Sequence, residues 1–235
     1  MARALAQPII DCVDPEAEPG ELRLRFASGR LCLDLVLTVG ERWRRSFERL
    51  RAPADLGHWL EMSGLVASAP RVTAADLAAA RELREAIFRL ARCAMDGRPA
   101  DAGDLRIVNA WASRPDMPLA LRSIGTAVRT LSVRPVADAL ATVARDAVEL
   151  FGGPQAARVR ECAAPDCSGL FLDESRAGVR RWCSMAGCGN RVKVANYRRR
   201  SASRTPARGG ARTPRHAAVS ASSNEGISGA RRTSR

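Results

Sequence analysis

The sequence predicts a mainly α protein. A helical N-terminal domain with one small β-hairpin is followed by a treble-clef-like four-cysteine zinc finger and a disordered basic tail. Three observations carry this. Large apolar residues recur every three or four positions through most of the first two thirds of the chain. Cys162, Cys167, Cys183 and Cys188 form two C-x4-C pairs inside 27 residues. Beyond Arg200 the residues are almost entirely Ser, Ala, Arg, Thr, Gly and Pro.

Residues 1–28 are read as a flexible segment. Their start has no uninterrupted apolar run and soon turns acidic, which argues against a secretory leader. From Leu31 to Leu50 the series Leu31, Leu35, Val39, Trp43, Phe47 and Leu50 fits one face of a helix, with Gly40 as its weak point. Pro53 opens a short helix through Leu56, Trp59, Leu60 and Met62, stopped by Gly64. Thr73 with Asp76 three residues on has the form of an N-terminal cap. The helix behind it carries Leu77, Ala80, Leu83, Ile87, Leu90 and Ala94, and ends at Gly97-Arg98-Pro99. A weaker helix over Asp101–Ala112 turns Leu105, Val108 and Trp111 inward. Leu119–Ile124 and Val128–Val133 alternate as two strands about Gly125. Pro135–Phe151 is again helical through Val136, Leu140, Val143, Val148 and Phe151. Gly152-Gly153-Pro154 closes it and sets the domain boundary, so the helical domain spans 29–154, enough to bury its own core.

Two cysteine pairs at this spacing are what tetrahedral zinc requires: each short loop brings two thiolates to one side of the ion. Four protein ligands leave no position open, so the site is structural. No stretch of the chain is apolar for long enough to span a membrane, and a cytoplasmic protein keeps its thiols reduced, which favours metal over disulfides. Cys32 and Cys93 read as small core residues, and Cys12 carries no signal. Between the pairs, Leu170-Phe171-Leu172 forms a short strand that Val159 and Glu161 would pair with. Asn190–Arg200 lacks Pro and Gly and continues as a helix, with Cys188 at or just before its start. Val192 and Ala195 would face the metal, with Trp182 packed on them. The order of these pieces resembles a treble clef.

Charge narrows the partner. Of a formal net charge of +13, residues 158–235 carry 17 basic against 5 acidic side chains, and residues 1–157 carry 21 against 20. Such asymmetry points to nucleic acid. Arg180, Arg181, Asn190, Arg191, Lys193, Tyr197, Arg198, Arg199 and Arg200 are the candidate contacts, with DNA as the first partner. RNA is the alternative, disfavoured by the shortage of aromatics for stacking on bases (Tyr197 and Trp182 at most). A zinc-thiolate redox switch through Cys183 or Cys188 is a further alternative. Residues 201–235 cannot bury enough surface to offset their chain entropy and are read as a disordered cationic tail. An enzyme is not expected: His58 and His216 are the only histidines, and no metalloprotease, P-loop or nucleophile-elbow motif occurs. A homodimer is compatible with the helical domain, and no effector can be named.

The stretch Arg181-Trp182-Cys183-Ser184-Met185-Ala186-Gly187-Cys188-Gly189-Asn190-Arg191-Val192-Lys193 resembles the CGNR zinc-finger family, named for Cys188–Arg191. Cys162, Cys167 and Leu170-Phe171-Leu172-Asp173 upstream and Tyr197-Arg198-Arg199 downstream fit the same pattern, over residues 158–200. In that family the finger follows a mostly helical domain called ABATE, and the pair is regarded as a transcription regulator. Gly29–Leu65 is similar to the start of ABATE through Leu31-Cys32-Leu33-Asp34-Leu35, Asp55-Leu56 and Trp59-Leu60. The family reads Leu-Asp-Phe-x-Asn-Thr where this chain has Leu33-Asp34-Leu35-Val36-Leu37-Thr38, so a ligand contact made by that Asn would be lost at Leu37. Asp34 and Thr38, one turn apart, are expected to share a buried hydrogen bond.

Overall fold

The computed structural model describes residues 20–129 and 132–203. Cys12, His216 and residues 204–235 of the tail expected to be disordered from 201 lie outside the described residues, while residues 201–203 of that tail are helical instead, continuing the helix Asn190–Ser203. Of the described residues, those up to Asn196 form one compact unit and those from Tyr197 a second.

The first departure from the periodic reading falls at once. The single helix expected over Leu31–Leu50 is a short helix α1 (Leu31–Val36) and a two-residue-per-strand hairpin, β1 (Val39–Gly40) and β2 (Phe47–Glu48). The chain reverses through Glu41 and Ser46, both at positive φ (43° and 50°). Gly40 permits this, because a Cβ there would lie 2.2 Å from the Phe47 ring. The polar residues of the segment also have inward partners that a helix would deny them. Arg42 forks onto Glu85 at 2.7 and 3.0 Å, and Arg84 forks onto Glu48 at 2.8 and 2.7 Å. Trp43, expected inside, is half exposed and packs beside Phe88. The expected Asp34–Thr38 bond is not formed. Asp34 accepts from the amides of Ala27 and Ser28, both at 3.0 Å, and the Thr38 hydroxyl donates to the Leu35 carbonyl at 2.7 Å.

Helix α2 (Pro53–Met62) has Pro at its first turn, and the Asp55 carboxylate accepts from the Ala52 amide. Gly64 ends the turn at φ +73°, letting the Leu65 amide reach back to the Leu60 carbonyl. Helix α3 (Ala74–Asp96) carries the expected reciprocal cap between Thr73 and Asp76 and stops on left-handed Gly97. Helix α4 (Ala102–Ala112) is capped by Asp101. Its buried stripe runs through Asp104, paired with Arg89, and Val108, so Leu105 is exposed rather than inward. The hairpin β3 (Leu119–Ser123) and β4 (Thr126–Arg129) turns at Gly125, with β4 beginning two residues earlier than expected, residues 130–131 of the expected strand outside the described residues, and Leu119 and Leu121 exposed. Helix α5 (Pro135–Gly152) is the centrepiece: Leu140, Val143, Ala144, Ala147 and Leu150 are fully buried against α1, α3 and α4, while Val148 lies off that stripe and is exposed.

After a 3-10 turn, β5 (Val159–Glu161) pairs antiparallel with β6 (Leu170–Leu172), as expected. Side chains alternate across a strand, and here the two faces have different neighbours. Val159, Leu170 and Leu172 belong to the helical core, while Phe171 points to a second cluster formed by Cys162, Ala164, Cys183 and Cys188. A π-turn (Met185–Gly189) then leads into α6 (Asn190–Ser203). Within residues 20–28, the end of the segment expected to be flexible, Leu24 and Phe26 pack on the core, and the Leu172 amide donates to the Ser28 carbonyl at 2.7 Å.

Candidate metal centre

The first knuckle, Cys162–Cys167, is the loop between β5 and β6, and the second, Cys183–Cys188, ends at the head of α6. Their four sulfur atoms lie within 4.8 Å of one another. Cys167 and Cys183 are 3.9 Å apart and Cys183 and Cys188 3.5 Å. A regular tetrahedron with zinc–sulfur bonds of about 2.3 Å has edges of about 3.8 Å, so the cage fits the ion with little adjustment. Amides of Gly169 and Cys183 donate to the sulfurs of Cys167 and Cys162, each at 3.4 Å. These are the outer bonds that keep thiolate ligands oriented and charged.

Local sequence explains the tight turns. A Cβ on Gly169 would sit 2.8 Å from Leu37 and 3.3 Å from the Cys167 sulfur. A Cβ on Gly189 would meet the Met185 sulfur at 2.8 Å and Trp182 at 3.0 Å. Ser184 caps the π-turn by accepting from the Gly187 amide at 3.1 Å. Asp173, just after β6, accepts from the amides of Ser175 and Arg180, both at 2.9 Å. The Ser175 hydroxyl donates to it as well, at 2.6 Å, and this bond first, with the two amides, holds the carboxyl below the usual carboxylate range and fixes the loop that leads into the second knuckle.

Without the ion the four thiols share protons. Cys188 and Cys162 accept from their neighbours and are held down, Cys162 to about 6, whereas Cys167 and Cys183 are pushed up. Zinc takes the place of those protons, leaving a four-thiolate site with two net negative charges. Two arginines answer them. Arg25 lies 3.6 Å from the sulfurs of both Cys183 and Cys188. Arg191 lies 3.3 Å from Cys188 and pairs with Asp166 at 3.0 Å. Arg25 was not among the residues singled out from the sequence. Its signal was the alternation Leu22, Arg23, Leu24, Arg25, Phe26, which marks an extended strand-like stretch with one covered face.

The candidate nucleic-acid residues divide. Arg180 is drawn inward, donating to the carbonyls of Trp182 and Cys183 and lying over the Phe171 ring. Arg191 serves the metal cage. Arg181 is exposed and stacks on Trp182 at 4.8 Å. Asn190 and Lys193 are exposed on the first turns of α6, and Tyr197, Arg198, Arg199 and Arg200 on its later turns. Trp182 and Val192 pack on the metal cluster as expected, but Ala195 is exposed, because only the first turn of α6 touches it. His58, expected on a packed helix, is largely exposed beside Glu61. Leu37 is buried against Gly169, so the position where the family has Asn abuts the first knuckle.

Comparison with known proteins finds two matches. Residues 29–154 match the family model ABATE, described as "Putative stress-induced transcription regulator". Residues 158–201 match the CGNR zinc finger. No curated protein matches the chain.

Proposed function

Since the chain belongs to the ABATE family and carries a CGNR zinc finger behind that domain, we propose that it is a zinc-dependent, DNA-binding transcription regulator. In this reading zinc supplies structure, the head of α6 meets DNA, and the helical domain senses a signal or joins two copies. The carrying observation is that the metal cage engages Arg25 and one side of the half-exposed Arg191, yet leaves Asn190 and Lys193 exposed on α6. Arg181, exposed on its tryptophan, adds a third polar group from the second knuckle. Cations on a helix neutralise phosphates, and an arginine fork or an amide can also read a base edge.

No catalytic role is proposed, because a closed four-thiolate site offers zinc no position for water or substrate. No helix among the described residues is long and apolar enough to cross a membrane, which suits a cytoplasmic regulator. The redox alternative shifts its emphasis: Cys183 and Cys188 are fully buried, and Cys167 is the most accessible of the four.

The test is selection of genomic fragments by the zinc-loaded full chain, followed by binding to a selected duplex across a salt series. Enrichment of discrete fragments, lost when zinc is chelated, is expected. Equal affinity for every duplex and tighter binding of structured RNA would replace the DNA reading with the RNA one.

A further inference from the structure

A cavity of about 480 Å³ opens beside the metal centre, walled by residues 20–25, the β1–β2 hairpin and both knuckles. Its volume is that of a small-molecule site. Arg23, Arg25, Leu37, Phe47 and Arg49 line it together with Gly169.

Arg49 is the informative wall residue. It is 6% exposed. Its Nε donates to the Glu21 carbonyl at 2.8 Å and its Nη1 to the Leu37 carbonyl at 2.7 Å, with Phe47 beneath the guanidinium at 4.7 Å. Its Nη2 makes no hydrogen bond to the described residues, and no carboxylate among them pairs with it. The nearby acids are engaged elsewhere. Glu21 pairs with Arg45, Glu41 with Arg44, Glu48 with Arg84 and Asp166 with Arg191. The thiolates have Arg25 and Arg191. Counter-charge reaches it only at longer range, from Cys167, Glu48 and Glu21, and burial, with Arg25 next to it, outweighs this and pulls its pKa down to about 10. The remaining cation at the cavity, Arg23, is exposed and has no carboxylate partner among the described residues.

We propose that this cavity binds a small organic oxyanion, a carboxylate or phosphate ester of metabolite size. Its charged end meets Arg49 and Arg23, and its apolar body lies on Leu37 and Phe47. Because Cys167, Gly169 and Arg191 line the same space, an occupant lies directly against the finger, and its binding is coupled to the setting of the first knuckle. The site stands independently of what the finger binds.

The experiment titrates the zinc-loaded full chain with sodium benzoate and, separately, with sodium phosphate, against sodium chloride at equal ionic strength. The amide resonances of Gly40 and Gly169 are followed by NMR. The two probes separate carboxylate from phosphate preference. Saturable shifts at both glycines are expected with at least one probe. Arg49→Met should weaken binding by about ten-fold or more, and Arg122→Gln, on the exposed β3–β4 hairpin, should leave it unchanged. Should Arg49→Met fail to fold, Arg23→Gln replaces it, with zinc content unaltered and affinity lowered several-fold. Shifts that match chloride, or an affinity insensitive to the arginine variant that folds, overturn the proposal. So does equal weakening by Arg122→Gln, which would mark diffuse attraction to a basic chain.

Discussion

Arg191 donates to the Cys188 sulfur and pairs with Asp166, whereas Lys193, two residues on, is exposed on α6. The two cations of one short motif therefore have different consequences when removed. Lys193→Ala should leave zinc content unchanged and lower the salt slope of duplex binding by about one unit, as one phosphate contact is lost. Arg191→Ala and Arg25→Gln should instead weaken zinc retention by about 10- to 100-fold, the usual effect of losing an outer partner of a ligand. Competition with a chromogenic chelator measures this, and wild-type retention in both arginine variants would show that the cage does not need them. The basic residues were all visible in the sequence. Which of them face sulfur and which face water was not, because charge reports no direction.

The hairpin β5–β6 and the helices under it carry the energetics. Phe171 is fully buried against the cysteines while its neighbours Leu170 and Leu172 enter the helical core. Phe171→Ala should destabilise the finger by about 3–5 kcal/mol, read as a fall in the zinc concentration range over which the near-ultraviolet signal of Trp182 persists. In the helical part, Glu85 sits between Arg42 and Arg84. Burial alone would raise its carboxyl, but the hydrogen bonds and charges of the two arginines outweigh this and hold it below 4.5. A depressed carboxylate contributes stability above its ordinary value and loses that contribution as pH falls through the folded value. Glu85→Gln should therefore cost about 3 kcal/mol at neutral pH, by leaving buried Arg42 without its carboxylate while Arg84 keeps Glu48. The difference from wild type should shrink in acid below about 4.5. Urea unfolding at a series of pH values tests this, since loss of zinc in acid affects both chains alike. Periodicity placed α2, α3 and α5 because their apolar stripes are long and their caps local. It failed at Leu31–Leu50, where Gly40, the Phe47 ring and the buried ion pairs outweigh a helical spacing of leucines.

The finger is not an appendage of the helical part at the scale of the whole unit. Val159, Leu170 and Leu172 are held in the helical core, while the second knuckle and the head of α6 depend on the cysteine cluster. Chelation should therefore release residues 174–203 rather than everything from 158 on. By hydrogen exchange, the amides of Cys162, Leu172 and Asp173, which donate within or beside β5–β6, should keep more protection than Gly187 and Gly189. Uniform loss across 158–200 would show that metal, and not the leucines, holds the hairpin in place. Readdition of one zinc per chain should restore the protection, because the ligands offer one closed tetrahedral site.

The chain by itself determined the things that depend on local spacing. Cysteine pairs with four residues between them can share an ion, stripes of leucine and alanine with capping residues make helices, and the basic excess lies in the part of the chain from Arg158 on. Tertiary structure alone decided what depends on distant groups converging. Arg25 reaches Cys183 and Cys188 across more than 150 positions of chain, Leu37 closes on Gly169, and Arg49 is buried beside a cavity whose carboxylates pair with other arginines. The physical reason is that local preferences act over a few residues, whereas charge compensation and packing are settled only when the whole unit has closed around them.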